Sequence, residues 1–225
     1  MKNYRLSDFE AKINQSDLLV PLDVLLVGGT GTGKSSTMNA LFGSPIAKVG
    51  DGVDPETQEV SAYSFHDYLR IHDSAGLGDG KEADLTHAKN ITYELLRTVN
   101  LDSGQFLFMD LVIVLLDGGS RDMGTAFKLL EQVVLKNIEP ERVIVAINQA
   151  DMAMKGRHWN QKMNQPEVEL KVFLDEKALS TQTRIKESTG LSIRKPIYYS
   201  AKHHYNLNKF YDHILEHIPK SRRKT

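Results

Sequence analysis

Hydrophobic and polar positions follow two rhythms along the chain. Short runs dominated by β-branched and aliphatic residues occupy Val24–Val27, Val60–Phe65, Leu69–His72, Leu111–Leu116, Val143–Ile147 and Pro196–Tyr199. Between most of them the apolar residues recur at the three- and four-residue spacing of a helix. Ser35–Phe42 opens polar and then presents Met38, Leu41 and Phe42. Ala126–Leu135 repeats Phe127, Leu130, Val133 and Val134, and the last such stretch repeats Leu207, Phe210, Ile214 and Ile218. Three of the strand runs are apolar nearly throughout, as strands covered on both faces must be. Only Val60–Phe65 and Leu69–Arg70 follow one another without a helix between, which predicts a hairpin at one edge. The pattern predicts a three-layer α/β fold with a mostly parallel six-stranded sheet and helices on both faces.

The remaining stretches punctuate this frame. Residues 6–16 predict a short helix ahead of the first strand. Residues 44–58 and 74–86 are rich in Gly, Asp, Pro and Ser and predict loops. Residues 152–166 show no period and predict an irregular connection, followed by a polar helix from about 167 to 188. The expected division is a helical lead-in at 1–20, one domain at 21–219 and a basic tail at 220–225.

Composition narrows the chemistry. The formal net charge of −1 gives no general attraction to nucleic acid or an anionic membrane, and there is no DNA signature. Lys220, Arg222, Arg223 and Lys224 form a local exception, readable as a solvated, frayed tail or as a contact for phosphate or lipid. The absence of cysteine excludes disulfides and thiol catalysis and fits a reducing compartment. Residues 1–20 lack the apolar core of a signal peptide, and the run Leu111–Leu116 is too short to cross a bilayer. The expectation is a cytoplasmic protein that meets a membrane only through a partner or the tail.

Candidate chemistry lies at the strand ends. Gly28-Gly29-Thr30-Gly31-Thr32-Gly33-Lys34-Ser35 follows the run Val24–Val27 and precedes a helical stretch. Glycines there let successive backbone N–H groups turn toward phosphate oxygens, and the helix N-terminus adds partial positive charge. Lys34 is suited to bridge terminal phosphates, and the Ser35 hydroxyl to ligate Mg²⁺. Asp73-Ser74-Ala75-Gly76 ends the run Leu69–His72. Its carboxylate suits a water-mediated metal contact and its glycine N–H a γ-phosphate; taken alone, the tetrapeptide is also a plain strand-to-turn transition. Asn148-Gln149-Ala150-Asp151 follows Val143–Ile147. An aspartate there accepts from the N1–H and N2–H₂ of guanine, a pair that adenine does not offer, or else caps an Asx turn. Ser200-Ala201-Lys202 follows the last strand run, where a backbone N–H can meet the guanine O6.

In order and placement these four elements resemble the G1, G3, G4 and G5 motifs of the translation-factor-related GTPases, which have the Ras-like P-loop fold. Within them, Gly28 to Gly43 is similar to the Era-like, septin-like and immunity-related branch, most of all to small bacterial GTPases of the prophage-associated, Era-like type. The resemblance implies a GTPase that binds GTP and GDP with Mg²⁺ and acts as a switch. It places Gly29, Thr30, Gly31, Thr32, Gly33, Lys34, Ser35 and Ser36 on the phosphates. Asn148, Gln149, Asp151, Ser200, Ala201 and Lys202 fall on the base, and Ser35, Thr57 and Asp73 on the metal. Lys34, Thr57 and Gly76 are the implied catalytic set. Thr57 is the switch I candidate, within a loop where threonine equally serves a turn; switch I is 44–58 and switch II is 74–86.

Three departures from the family pattern shape the expectation. Gln149 stands where a lysine stem lies along the guanine face, implying weaker nucleotide affinity with guanine specificity kept by Asp151. Leu77 stands where Ras-like proteins carry the glutamine that orients the attacking water. Gly31 stands where potassium-activated relatives have asparagine, implying no such dependence. Slow intrinsic hydrolysis follows, accelerated by an activating protein or a second copy. The alternative is a nucleotide-gated dimerisation module with negligible hydrolysis. The paired His203-His204, with no third ligand at metal spacing, is expected to be solvated, and Trp159 to be a packed loop aromatic.

Overall fold

The structure is a computed structural model and describes residues 3–45, 61–74, 81–120 and 124–225, with the backbone alone at 81–84 and 124–126. In chain order the elements begin with α1 (Leu6–Asn14), β1 (Leu22–Gly28), α2 (Lys34–Phe42), β2 (Ser61–His66), β3 (Leu69–Asp73) and α3 (Lys81–Leu96). A small hairpin follows, β4 (Thr98–Leu101) with β5 (Gly104–Leu107), and then β6 (Leu111–Asp117). Helix α4 (Gly124–Leu129) runs through a π-helical turn, Leu130–Val134, into α5 (Leu135–Asn137). After β7 (Val143–Asn148) come β8 (Trp159–Asn160), β9 (Gln165–Pro166), α6 (Val168–Thr189), β10 (Ile197–Tyr198), α7 (Leu207–His217) and β11 (Arg223–Lys224).

The main sheet has six strands in the order β10-β7-β6-β1-β3-β2. All neighbours are parallel except β2, which returns antiparallel along β3 as the expected edge hairpin. Side-chain alternation then sorts the core into two layers. Leu25 and Val27 of β1 join Val112, Val114, Val143 and Val145 under α3, α4 and α6. Val24 and Leu26 point the other way, with Ile113, Leu115, Ile144 and Ala146, under α1, α2 and α7. Burial on both faces explains why β1, β6 and β7 read as continuous apolar runs. The lead-in helix α1 belongs to this second layer: Phe9 and Ile13, one turn apart, are buried, and Phe9 meets the Tyr211 ring of α7 at 5.8 Å.

Three features depart from the sequence expectation. Helix α3 begins at Lys81, inside the stretch 74–86 expected to be a loop. A second sheet, β11-β5-β4, was not foreseen, and the basic tail supplies one of its strands. That tail is stitched down rather than solvated. Arg223 is 3% exposed, and its guanidinium donates to the carbonyls of Leu95 (2.9 Å), Met109 (3.3 Å) and Asn137. Arg222 donates to Asp17 and lies over the Phe106 ring at 4.8 Å. Three orphan carbonyls, two at helix ends, explain why a cation is buried here.

At the N-terminal ends of the parallel strands, charge is buried in matched sets. Asp23 accepts from Arg70 Nε (2.6 Å) and Nη2 (2.9 Å) and lies 2.6 Å from His72 Nε2. Asp110, just before β6, accepts from the Asp23 backbone N–H at 3.1 Å, and Arg142 Nη1 donates to the Asp110 carbonyl at 3.3 Å. The opposite, C-terminal ends of β1, β3, β7 and β10 bring the four sequence motifs together.

Candidate functional site

The loop between β1 and α2 turns on glycines at left-handed angles, φ +78° at Gly31 and +86° at Gly33. Gly33 is also required by space, since a Cβ there would stand 2.3 Å from Asn148 Nδ2. Thr32 closes the turn by donating from Oγ1 to the Gly29 carbonyl at 2.8 Å. Thr37, one turn into α2, donates to the Gly33 carbonyl (2.8 Å) and shares a 2.6 Å hydrogen bond with the buried hydroxyl of Tyr199. The loop is thus pinned from below. Thr30 and Gly31 are exposed at its tip, and Ser35 and Ser36 are half-buried in the first turn of α2.

Lys34 folds back under the loop, where its Nζ donates to the Gly28 carbonyl at 2.9 Å and reaches the Gly29 carbonyl at 3.5 Å. Burial lowers its pKa, an effect opposed by the nearby charge of Asp73. Burial in turn raises the Asp73 pKa to about 6, against the pull of Lys34. Asp73 Oδ1 is buried and has no hydrogen-bond partner among the described residues, which makes it a candidate ligand contact. Thr57, Gly76 and Leu77, the sequence candidates from the two switch loops, lie outside the described residues.

The base side of the site is built by β7 and β10. Asn148 acts as a bracket: its Nδ2 donates to the Thr32 carbonyl (2.9 Å) and its Oδ1 accepts from the Ala201 N–H (3.1 Å). With two strands between them in the sheet, the Ser200-Ala201-Lys202 segment is thereby set against the phosphate loop. Gln149, at a left-handed φ of 58°, sends its amide across to the Gly31 carbonyl and makes a second tie. Asp151 is 5% exposed and accepts from Ser200 Oγ at 2.6 Å. A cleft of about 210 Å³ lies between these parts, lined by Gly33, Ser36, Asn148, Gln149, Asp151, Met152, Ser200, Ala201 and Lys202.

Sequence reasoning missed several parts of this assembly. Met152, the neighbour of Asp151, forms cleft wall and is 47% exposed. Lys177 of α6 donates to the carbonyls of Asp117, Gly118 and Ser120, fixing the loop after β6. Nothing in the sequence marks it, because its partners are backbone atoms 57 to 60 residues away. Trp159 is packed, as expected, but His203 is not solvated. Its ring lies 5.0 Å from the Trp159 ring, and its Nε2 lies 3.6 Å from Asp151 Oδ2.

A phosphate-cradling loop at the first βα junction, a bare carboxylate at the end of β3 and a base cleft beside Asp151 define a P-loop GTPase G domain. Residues 23–149 match the family described as 50S ribosome-binding GTPase, and the chain belongs to that family. No curated protein matches it. Among solved structures it is similar to Toc33 from Arabidopsis thaliana in complex with GDP and Mg²⁺, at 14% identity and a TM-score of 0.66, covering 99% of this chain and 95% of that one. A dimerization-deficient Toc33 mutant is similar at 13% identity and a TM-score of 0.68, covering 100% and 95% of the two chains. Era from Aquifex aeolicus bound to GDP.AlF4⁻ is similar at 17% identity and a TM-score of 0.55, covering 90% of this chain and 58% of that chain.

Proposed function

We propose that this protein is a cytoplasmic, Mg²⁺-dependent molecular switch of the Era-like type, close to the small prophage-associated GTPases. It binds GTP, hydrolyses it slowly to GDP and phosphate, and is accelerated by an activating protein or a second copy. The observation that carries this reading is the Asn148 bracket, which sets the phosphate loop and Asp151 on either side of one cleft. Residues 21–219 are the working G domain, with the lead-in and the tail packed as braces.

The residues present fit a magnesium ion. Asp73 Oδ1 is a buried oxygen without a donor among the described residues, and Ser35 offers a hydroxyl on the turn that carries Lys34. Bound Mg²⁺ supplies charge neutralisation at the β- and γ-phosphates. Gly29 to Gly33 direct backbone N–H groups at the phosphates, and Ser36 closes the site toward the ribose side of the cleft. Lys34 exchanges its carbonyl partners for phosphate oxygens, a trade favoured because its buried charge has the nearby carboxylate of Asp73 but no direct ion pair among the described residues. Thr57 and Gly76 bring the switch loops onto the γ-phosphate. Asp151 accepts from the guanine N1–H and N2–H₂, Asn148 keeps one amide hydrogen for the base edge, and the Ala201 and Lys202 backbone faces O6. The Toc33 structures hold GDP with Mg²⁺ and GMPPNP with Mg²⁺, the ligand pair assigned here.

Calorimetry with GDP, GMPPNP and ATP, each with Mg²⁺, tests the reading. Both guanine nucleotides bind at micromolar Kd or tighter and ATP does not; failure of both in folded protein sinks the proposal. A second reading, nucleotide-gated dimerisation with negligible hydrolysis, is favoured by one observation. Helix α3, which follows the second switch loop, exposes Leu85, Tyr93 and Leu96 at 64%, 67% and 50%. Phosphate release measured over a range of protein concentrations separates the two, since turnover that stays absent at every concentration favours the second.

A further inference from the structure

We propose that His203 is a positioning residue for guanine recognition: wedged between Trp159 and Asp151, it holds the carboxylate that reads the base. The inference rests on the guanine reading of the cleft and deepens it. It assigns a purpose to the irregular segment between β7 and α6 and to a histidine that no motif includes.

Asp151 must keep a fixed plane if both of its oxygens are to accept from one edge of a purine. Ser200 fixes one oxygen, its Oγ donating to Asp151 Oδ1 at 2.6 Å. That leaves the carboxylate free to pivot about this single contact. His203 closes the pivot, its Nε2 standing 3.6 Å from Oδ2. At that distance the ring nitrogen is a polar neighbour just beyond hydrogen-bond reach, and an N–H there attracts Oδ2 and favours one orientation of the carboxylate. The same residue steadies Ser200, because the His203 backbone N–H donates to Ser200 Oγ at 3.2 Å. With that acceptor site filled, the Ser200 proton remains directed at Asp151.

The ring itself is held from the far side. Trp159, 7% exposed, meets it at 5.0 Å and 44°, and stands edge-on to Tyr205 at 5.5 Å and 90°. Asn164 donates from Nδ2 to the His203 carbonyl at 2.6 Å. Trp159 pairs with Pro166 in the short β8–β9 ladder and Asn164 directly precedes β9, so this otherwise periodless stretch packs behind the guanine-reading carboxylate. A structural role for His203 would need only its ring against Trp159. A positioning role also needs a donor nitrogen facing Asp151, and this difference is measurable.

The test compares wild type with His203→Phe, His203→Gln and His203→Ala, titrated with GDP and with inosine diphosphate, which lacks the 2-amino group. Wild type prefers GDP. In His203→Phe, which keeps a ring against Trp159 but loses the nitrogen, the preference for GDP over inosine diphosphate falls about tenfold while the melting temperature is held. His203→Gln, with an amide N–H, recovers part of the preference, and His203→Ala loses both preference and melting temperature. The fluorescence of Trp159, the only tryptophan, responds to GDP in wild type and responds less in His203→Phe. A wild-type GDP preference in His203→Phe overturns the proposal and leaves His203 as packing. Wild type that binds neither diphosphate overturns the guanine reading itself, and this proposal with it.

Discussion

The two ends of the central sheet handle buried charge in opposite ways. At the N-terminal ends of the parallel strands, Asp23 is 2% exposed and is met by Arg70 and His72, each within 2.6 Å. Asp110 lies beside the Asp23 N–H and the Arg142 side chain. At the C-terminal ends, Asp73 Oδ1 is buried without a hydrogen-bond partner among the described residues, and Lys34 donates to the carbonyl oxygens of Gly28 and Gly29. The N-terminal set is completed within the fold, whereas in the proposed function the Asp73 and Lys34 pair is completed by a ligand.

Variants at the two ends separate these roles. The largest effect is expected from Asp23→Ala, which strands Arg70 and costs ~3–5 kcal/mol of stability in chemical denaturation. A loss below 1 kcal/mol would mean that the N-terminal set is ornamental. Next is Lys34→Ala, expected to weaken GDP binding roughly 100-fold while shifting the melting temperature little; unchanged affinity would remove the loop from the binding site.

Asp73→Asn tests the contrast most directly. Removing an unmatched buried charge leaves the melting temperature equal or higher, while the Mg²⁺-dependent tightening of GMPPNP binding drops about tenfold. A fall of several degrees would show that the carboxylate is structural after all.

A pH dependence at Asp110 tests the N-terminal end independently. Burial raises its pKa to about 7 from 3.8. The folded state therefore holds this proton between those values while the unfolded chain releases it, and stability from this group is full below 3.8 and lost as pH rises toward 7. Asp110→Asn does not ionise, so its stability relative to wild type should climb from pH 4 to 7 by at most ~1.4 kcal/mol per unit. A difference that is flat in pH would mean that Asp110 is already ionised.

Much of this was legible in the sequence. The six main strands were readable within a residue or two because burial on both faces forces unbroken apolar runs, as in Leu111–Leu116. The phosphate loop and the Asn148–Asp151 segment were readable because their chemistry is local. The β4–β5–β11 sheet was not, since its strands are only half-buried and carry no apolar run, although Asp102-Ser103-Gly104 gave a turn signal between the first two. Helix α3 lacked a clear period, with His87 and Glu94 among its buried residues. The role of His203 was hidden for another reason: its meaning lies in Asp151, 52 positions earlier, and in Trp159 behind it.

Helix α3 is 16 residues long, about 24 Å from end to end. Its last turn is fastened by Arg223, whose guanidinium holds the Leu95 carbonyl together with those of Met109 and Asn137. One side chain from the end of the chain thereby joins three segments that are distant in sequence, the end of α3, the approach to β6 and the end of α5.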